Sequence, residues 1–175
     1  MDVVLLDDTG RPTGSAPKEQ VHGADTPLHL AFSCHLDDGA GRVLVTRRAL
    51  GKRSWPGVWT NSFCGHPAPG ERIEDAVTRH ARSELGAAFT GLRLALPDFR
   101  YRAVDASGIV ENEICPVFTA TLDGPLSPDP DEVAEWRWVD PADLAASVAA
   151  TPWAFSPWLV EQLPQLATRR ILEVR

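Results

Sequence analysis

The sequence predicts a mixed α+β fold in which a mixed β-sheet is flanked by helices, as in an α/β/α sandwich. Three observations lead to this prediction. Segments with strand character come first, a segment with helical periodicity stands in the middle, and further strands followed by helices complete the chain. A chain of 175 residues is most simply one domain, so we expect residues 1–175 to fold together.

The chain begins with a predicted strand and turn. The apolar run Val3–Leu6 ends at residues 7–10, which form a turn signal of two aspartates, a threonine and a glycine. A polar segment, residues 18–23, follows and carries His22 near its end.

Residues 28–36 alternate in type, which predicts a second strand. One face would hold His29, Ala31, Ser33 and His35, and the other Leu28, Leu30, Phe32, Cys34 and Leu36. Residues 37–41 then form a hairpin turn signal, and residues 43–46 are the predicted return strand.

Residues 73–85 have helical rather than strand periodicity. The recurring apolar residues are Ile73, Ala76, Val77, Ala81 and Leu85. Gly86 follows where the end of a helix favours glycine. We therefore predict a glycine-containing loop over residues 65–70 that leads into a helix of about four turns.

Two further strand segments follow the helix. One is expected within residues 92–102, and the other over residues 109–120, where polar residues 111–113 interrupt an apolar and partly β-branched run. Residues 124–130 are rich in proline and read as a loop.

The last part of the chain is predicted to be a strand and two helices. Residues 135–139 alternate as a strand. A helix should begin at Pro141 with Asp140 as its N-cap. An aromatic and proline-rich link over residues 151–158 leads into a final helix from about Pro157.

Composition excludes several classes of function. The net charge of −7 disfavours a nonspecific grip on nucleic acid, so we expect no nucleic-acid partner. We expect no membrane partner, because no apolar run approaches the ~18 residues of a membrane helix, and no signal peptide is evident. The three cysteines, an odd number at wide spacing, favour a reducing cytoplasm. Without a dedicated assembly segment, we expect a monomer.

The segment Gly51–Pro67 concentrates reactive side chains. It contains Cys64 and His66, and the cations within or just before it are Arg47, Arg48, Lys52 and Arg53. A thiol, an imidazole and converging cations indicate a site for an anionic small molecule with a metal. The alternative is a turn that merely requires small and aromatic residues.

Histidines and glutamates elsewhere could complete a metal site. The candidates are His22, His29, His66, Glu111 and Glu113. Glu111 and Glu113 are two residues apart, so on a strand both would point to one face, which is costly in an apolar segment unless a cation lies between them. The alternative is a solvent-facing strand edge. His35 and His80 have no such partners in the sequence and are expected to be surface or structural residues.

The loop and helix carry the spacing of a phosphate-handling motif. Five residues separate Gly65 from Glu71, seven separate Glu71 from Arg79, and Glu84 and Gly86 follow. This pattern resembles the box of the Nudix superfamily, and the resemblance implies a Nudix-like sandwich. His80 and Ser83 stand where that box has glutamates. The departure argues against a hydrolase that cleaves a diphosphate, because only Glu84 remains on that helix face to contact a metal.

A longer resemblance covers residues 18–158. The segments that carry it are residues 46–50, 55–62, 64–67, 101–103, 111–113, 115–118 and 153–158. In this order they resemble the type 1 isopentenyl-diphosphate delta-isomerase family. The resemblance implies interconversion of isopentenyl and dimethylallyl diphosphate.

The resemblance also implies a set of ligands. A divalent ion, Mn²⁺, Mg²⁺ or Zn²⁺, would be held by His22, His29, His66, Glu111 and Glu113. A second ion, Mg²⁺, would link the diphosphate to Glu84 and to the backbone carbonyl of Cys64. The cations that match the family's diphosphate-binding set are Lys18, Arg48 and Lys52, which suit an anion.

The same resemblance implies the catalytic residues. Cys64 and Glu113 would exchange two protons with the substrate, with Glu113 the more plausible acid, Tyr101 in hydrogen-bond reach of it, and Cys64 the base. Trp158 would face the developing cation. The alternatives are core packing for Trp158 and a buried, inert thiol for Cys64, although its basic surroundings favour a reactive thiol.

Two other functions remain as alternatives at this point. One is a Nudix-type diphosphohydrolase, which His80 and Ser83 disfavour. The other is a metal-stabilised binding module without catalysis. The presence of Cys64, Glu113, Tyr101 and Glu84 together disfavours that module.

Overall fold

Two β-sheets form the frame of residues 1–169, the part of the chain that this computed structural model describes. The strands are β1 (Asp2–Leu6), β2 (Pro12–Pro17), β3 (His29–Leu30), β4 (Phe32–Asp37), β5 (Val43–Arg48), β6 (Trp59–Thr60), β7 (Phe63–Gly65), β8 (Ala88–Leu96), β9 (Arg100–Val104), β10 (Val110–Ile114), β11 (Val117–Asp123) and β12 (Val133–Val139). The helices are α1 (Lys18–Val21), α2 (Ile73–Leu85), α3 (Pro141–Ala150) and α4 (Pro157–Thr168), with a 3₁₀ turn at Pro152–Ala154. The prediction of one domain over residues 1–175 stays a prediction.

Both sheets are mixed. The five-stranded sheet has the order β2-β1-β3-β10-β9, and the seven-stranded sheet has the order β12-β5-β4-β11-β8 with β6 and β7 added beside β5 and β4. Parallel pairs, β3 with β10 and β4 with β11, occur among antiparallel ones. The predicted mixed sheet with flanking helices is confirmed.

Three segments with predicted strand character each contain parts of two strands that belong to different sheets. Residues 28–36 divide at Ala31, residues 92–102 divide between β8 and β9, and residues 109–120 divide at Cys115–Pro116. Pro116 lacks the N–H that a continuous strand would donate to its neighbour. Its carbonyl accepts a hydrogen bond from Ser33 N on β4. The alternation continues across Ala31, so periodicity alone does not reveal the change of sheet. The polar strand β2 was also missed, because it is mostly exposed and has no apolar alternation.

Helices cover both faces of the seven-stranded sheet. On one face, α2 packs Ala76, Val77, Ala81 and Leu85 against Phe32, Cys34, Leu36 and Phe63. On the other face, α4 contributes Trp158 and Leu166 to one apolar cluster, and Leu159 and Leu163 to another with Val43 and Val45. Ser33 and His35 point toward α4, so the predicted two-faced pattern of β4 is confirmed.

The helix boundaries follow the predicted signals. Helix α2 spans Ile73–Leu85 and ends at Gly86, whose φ of 57° is the left-handed conformation that favours glycine. Asp140 caps α3 through a hydrogen bond from Ala142 N at 2.8 Å. Helix α4 begins at Pro157 behind its N-cap Ser156. Among residues 1–169, no helix combines the length and the apolar character needed to cross a membrane.

Candidate active site

The predicted site residues surround one cavity between the two sheets. The cavity has a volume of about 390 Å³. The predicted residues that line it are Lys18, His22, Arg48, Lys52, Cys64, His66, Glu84, Tyr101, Glu111, Glu113 and Trp158. The remaining predicted residue, His29, is fully buried and lies against Glu113. The fold therefore brings together residues from distant parts of the chain.

Strand register places three of these residues in one row. Glu113 on β10 pairs with His29 on β3 and with Tyr101 on β9. Glu111 and Glu113 point to the same side of β10, as their spacing predicts. Both are buried, with 6% and 5% of their surfaces exposed, so the alternative of a solvent-facing strand edge is wrong.

Three imidazoles converge on these glutamates. The ring centroids of His22, His29 and His66 lie 5.0 to 5.6 Å apart. One ligand atom from each histidine and one from Glu113 all lie within 4.8 Å of one another. We call these four residues, together with Glu111, the histidine–glutamate cluster.

Glu111 joins the cluster through His22. Its Oε2 lies 2.8 Å from His22 Nε2, yet neither atom has an aligned hydrogen bond. Its other oxygen, Oε1, accepts from Ser54 Oγ at 2.6 Å. Ser54 therefore holds the carboxylate in place while Oε2 stays directed at the imidazole.

Burial and pairing set the charges in the cluster. Burial by itself would raise the pKa of Glu113, but the adjacent imidazoles of His29 and His66 outweigh burial and hold that pKa well below its usual value. Burial would lower the pKa of His29, but Glu113 raises it above the ordinary value. For His66, burial prevails and lowers the pKa.

The unsatisfied atoms of the cluster fit a bound divalent ion. Within residues 1–169, a buried ring nitrogen of each of His22, His29 and His66 has no hydrogen-bond partner, nor does Glu111 Oε2. His29 Nδ1 is 2.9 Å from the Pro27 carbonyl, to which it donates, so in the neutral ring Nε2 carries the lone pair that a metal ion would need. Buried lone pairs of this kind are costly unless a cation binds them, and imidazole with carboxylate is a donor set for divalent metals.

Cys64 lies on β7 between two polar partners. Its Sγ is 3.3 Å from Ser33 Oγ and 3.2 Å from Asn61 Oδ1. Burial raises the pKa of Cys64 to about 12, and these hydrogen bonds and the charge of Arg48 do not offset it. The basic surroundings predicted a reactive thiol; here burial outweighs the nearby cations and favours the protonated sulfur, and the reactivity of Cys64 stays a prediction.

Aromatic side chains form the neighbouring wall. The Tyr101 hydroxyl donates to Glu113 Oε2 at 2.9 Å. Trp158 donates through Nε1 to Asn61 Oδ1 at 3.0 Å and packs in the same apolar cluster as Tyr101. Trp158 is thus a core residue that also lines the cavity.

The cations that line the cavity are differently restrained. Arg48 donates to the carbonyls of Ser54 and Trp55, and its guanidinium lies 5.4 Å from the centroid of the Trp158 ring. Lys52 pairs with Glu132. Burial lowers the pKa of Lys52 to about 8, and the nearby charges of Arg48 and Lys18 add to that effect.

One cation of the basic segment lies outside the cavity. Arg47 pairs with Glu135 at 2.7 Å and donates to the carbonyl of Gly57 at 3.0 Å. Because neighbouring strand residues point to opposite faces, Arg47 and Arg48 could not both face the same cavity.

The polar side chains of the box, which runs from β7 into α2, pair with one another. We use "the box" for Gly65, Glu71, Arg79, His80 and Glu84. Glu71 accepts from Arg79 Nε at 2.9 Å and from Arg79 Nη2 at 2.7 Å, while His80 Nδ1 lies 2.6 Å from Glu84 Oε1. A Cβ on Gly65 would lie 2.6 Å from atoms of the His80 ring. Of the box residues, only Gly65 and Glu84 line the cavity.

His35 and His80 are buried residues with specific partners, so the surface interpretation is wrong and the structural one stands. His35 contacts Gln162 of α4, and His80 contacts Glu84 one turn further along α2. The spacing of four residues between His80 and Glu84 was a signal in the sequence. The pairing of His35 with Gln162 had none, because 127 positions separate them.

Sequence reasoning did not identify the polar residues that form hydrogen bonds to the predicted site residues. Ser33, Ser54 and Asn61 each contact a predicted site residue and are buried. Small polar residues in apolar surroundings are the general signal for such roles, but their partners lie far away in the sequence.

Comparison with known proteins identifies the family of this chain. Residues 27–159 match the model of the NUDIX domain family. The isopentenyl-diphosphate Delta-isomerase of Leifsonia xyli subsp. xyli is 66% identical over 167 residues, which covers 94% of this chain and 90% of the relative. The isopentenyl-diphosphate Delta-isomerase of Paenarthrobacter aurescens is 58% identical over 173 residues, covering 99% of this chain and 94% of the relative.

Solved structures support the fold. A crystal structure from Deinococcus radiodurans superposes with a TM-score of 0.74 at 19% identity and covers 94% of this chain and 98% of its own. A MutT NUDIX hydrolase from Burkholderia pseudomallei gives a TM-score of 0.62 at 23% identity, covering 79% and 98%. At these identities the likeness concerns the fold alone.

Proposed function

Because this chain belongs to the isopentenyl-diphosphate Delta-isomerases of the NUDIX domain family, we propose that its cavity rearranges isopentenyl diphosphate by two proton transfers. The single observation that carries the proposal is that Cys64 and Glu113 line the same cavity as the predicted diphosphate-binding cations Lys18, Arg48 and Lys52. The chemistry needs a proton donor, a proton acceptor and a place for the diphosphate, and all three are present there.

The reaction moves one double bond. A proton adds to the terminal methylene carbon, so the π electrons form the new C–H bond and leave a tertiary cation. A proton then leaves the carbon next to the CH₂–O group, and its bonding electrons form the internal double bond. No bond to phosphorus or oxygen breaks, so the diphosphate serves only to bind and orient the substrate.

Cys64 and Glu113 are the proposed partners in these transfers. In the arrangement described above, the carboxyl of Glu113 is ionised and the thiol of Cys64 holds its proton, since the pKa of Glu113 is low and that of Cys64 is about 12. This is the reverse of the division expected from the resemblance. Because the reaction is reversible, each group must act as acid in one direction and as base in the other.

The aromatic wall is the proposed environment for the cation. Tyr101 holds Glu113 by a 2.9 Å hydrogen bond and so orients the carboxylate. Trp158 is 3% exposed, so its indole presents a nearly dry face to the cavity. An indole stabilises a desolvated cation by about 2 kcal/mol, which corresponds to roughly 30-fold in rate.

Lys18, Arg48 and Lys52 are the proposed diphosphate-binding residues. They come from α1, from the end of β5 and from the loop that follows it, and all three line the cavity. The contacts of Arg48 with the Ser54 and Trp55 carbonyls fix its guanidinium in advance. Lys52 would exchange its pairing with Glu132 for the phosphate oxygens.

Two metal sites complete the proposal. The histidine–glutamate cluster would hold one divalent ion, Mn²⁺, Mg²⁺ or Zn²⁺, and Glu84 with the backbone carbonyl of Cys64 would hold Mg²⁺ beside the diphosphate. Such ions neutralise phosphate charge and hold carboxylates in their ionised form. We also propose that the enzyme is a cytoplasmic monomer.

Proton NMR of the purified protein in D₂O with isopentenyl diphosphate and Mg²⁺, alongside a phosphate-release assay, tests the function. We expect dimethylallyl signals, deuterium in the carbon skeleton and no phosphate. Phosphate without rearrangement would favour a diphosphohydrolase instead. If neither appears in protein loaded with metal, the isomerase proposal is wrong and a binding module is favoured.

A further inference from the structure

A chain of buried polar side chains runs from the thiol of Cys64 along the face of the sheet that α4 covers. Ser33 Oγ lies 3.3 Å from Cys64 Sγ, and Gln162 Nε2 donates to Ser33 Oγ at 2.9 Å. His35 Nε2 lies 2.9 Å from Gln162 Oε1. Ser33 and Gln162 are fully buried and His35 is 2% exposed. None of these three lines the cavity.

Each hydrogen bond in this chain has a defined direction. The amide of Gln162 can only donate through Nε2 and accept through Oε1, so His35 must donate through Nε2–H. Burial lowers the pKa of His35 to about 4, which leaves its ring neutral at neutral pH. Ser33 Oγ accepts from Gln162, and its own hydrogen is therefore free to point at a sulfur.

Two sulfurs compete for that hydrogen. Cys64 Sγ lies 3.3 Å from Ser33 Oγ and Cys115 Sγ lies 3.4 Å away. Ser33 and Cys64 are direct cross-strand partners in the pairing of β4 with β7, so their side chains lie on the same face. Cys115 is buried and does not line the cavity.

The other side of the Cys64 sulfur faces an acceptor. Asn61 donates through Nδ2 to the carbonyls of Cys34 and Phe63, and its Oδ1 accepts from Trp158 Nε1. The amide orientation is therefore fixed, and Oδ1 can only accept from the thiol of Cys64. The sulfur is thus held between a fixed acceptor and a hydroxyl that can donate.

Such a chain is costly unless it serves the site. Three polar side chains, Ser33, His35 and Gln162, are buried where apolar side chains could fit. Each buried polar group costs free energy unless its partner is well placed. The chain ends at the thiol that lines the cavity. We propose that Ser33 is a positioning residue for the isomerase reaction, which donates its hydroxyl hydrogen to the Cys64 sulfur while Gln162 and His35 hold it in place.

The proposal rests on the proposed role of Cys64. When Cys64 gives up its proton, negative charge develops on the sulfur, and a donor already directed at it stabilises that charge without reorganisation. Ser33 never touches the substrate and acts only through Cys64. It should therefore influence turnover and leave substrate binding unchanged.

The test compares Ser33→Ala and Gln162→Met with two controls, Cys115→Ala and Leu163→Ala. Cys115→Ala removes the competing sulfur, and Leu163→Ala weakens α4 in a separate apolar cluster. Steady-state kinetics are measured where urea unfolding shows each protein to be folded. We expect Ser33→Ala to lower kcat by roughly 10- to 100-fold, a loss common when a residue that holds a functional side chain in place is removed. KM should stay near the parent value. Both controls should keep the parent kcat.

The double variant tests whether the residues act as one unit. Ser33→Ala with Gln162→Met should be no slower than Ser33→Ala alone, because the hydroxyl that Gln162 holds is already gone. If Ser33→Ala does not fold, the loss of kcat in Gln162→Met is compared with the loss in Leu163→Ala. A larger loss in Gln162→Met would support the proposal, and an equal loss would overturn it.

Three results would overturn the proposal. They are an unchanged kcat in Ser33→Ala, a rise in KM alone, or an equal loss of kcat in Cys115→Ala or Leu163→Ala. A separate outcome concerns the premise. If Cys64→Ala itself keeps the parent turnover, the proposed role of Cys64 fails; if Cys64→Ala is inactive and Ser33→Ala is normal, only the inference about Ser33 fails.

Discussion

The histidine–glutamate cluster and the box on α2 use the same residue types but differ in how their polar atoms are satisfied. In the cluster, His22, His29 and His66 each have a buried ring nitrogen without a hydrogen-bond partner in the described part of the chain. In the box, Glu71 receives three hydrogen bonds, two from Arg79 and one from Ala68 N. The cluster therefore has free lone pairs that could bind an ion. The carboxylate of Glu71 instead links α2 to the loop that precedes it through hydrogen bonds.

The comparison shows that a sequence motif locates acidic residues but does not determine which of their carboxylates are free to bind an ion. The box spacing identified α2, yet within it only Glu84 lines the cavity together with Gly65. Arg79 also donates to the His66 carbonyl at 3.1 Å. The box thus supports the cluster, and the two regions differ in role although both carry glutamates.

The largest expected effect is on turnover. Cys64→Ala or Glu113→Gln should lower kcat by about 10²- to 10⁴-fold, the usual contribution of general acid–base catalysis. Glu71→Gln in the box should leave kcat within a few fold of the parent. Single-turnover kinetics measure the loss, and calorimetric titration with inorganic diphosphate measures binding. A near-parent rate in Cys64→Ala or in Glu113→Gln would contradict the proposed proton-transfer roles.

The second-largest expected effect is on the amount of metal that the cluster variant and the box variant bind. His22→Gln should lower the affinity for the tightly held divalent ion by more than the roughly 10- to 100-fold typical of outer-shell partners. Glu84→Gln should keep that ion and weaken only the Mg²⁺ dependence of the rate. Mass spectrometry of dialysed protein measures the bound metal. Equal metal loss in both variants would contradict separate sites.

Close packing distinguishes Gly65 from the other residues of the box. Gly65→Ala would place a Cβ 2.6 Å from the His80 ring, so we expect a loss of about 1–3 kcal/mol in the free energy of unfolding. Adding His80→Ala should recover part of this loss. Gly51→Ala is the matched control, because a Cβ there would meet no atom within 4 Å apart from its chain neighbours. Urea unfolding measures all four proteins, and similar losses at both glycines would refute the steric explanation.

Acid should remove the stabilisation that the box provides. Hydrogen bonds from Arg79 lower the pKa of Glu71 to about 2, below the usual 4.5 of the unfolded chain. The stabilisation is complete above pH 4.5 and disappears as the pH falls toward 2. Because Arg79 is partly exposed, Glu71→Gln should cost only about 1 kcal/mol at neutral pH. Urea unfolding of parent and variant should converge in acid, and a difference independent of pH would be evidence against the ion pair.

The smallest expected effect concerns Lys52, which lies beside the box and the cavity. Its pKa of about 8 means that its charge is present below that pH and is lost above it. Binding of inorganic diphosphate should therefore weaken several-fold as the pH rises past 8. In Lys52→Arg the decline should be shallower, because an arginine stays charged. Calorimetry across this range is the measurement, and equal slopes would show that Lys52 does not bind the anion.

The sequence by itself determined much of this protein. Periodicity predicted α2 with its correct ends, because Gly86 and the apolar spacing are local signals. Capping predicted the start of α3, and the sequence motifs predicted residues that line one cavity. Alternation also predicted that Glu111 and Glu113 point the same way, because strand geometry fixes the direction of every second side chain.

Only the tertiary structure decided which groups meet and what they can do. Sheet register put His29, Glu113 and Tyr101 in one row, although 84 positions separate His29 from Glu113 in the sequence. Burial, rather than the adjacent cations, set the pKa of Cys64. The contacts of His35, Ser33 and Gln162 likewise depend on α4 folding back over β4. Desolvation and hydrogen-bond partners are properties of the packed molecule, so no local pattern of residues could have revealed them.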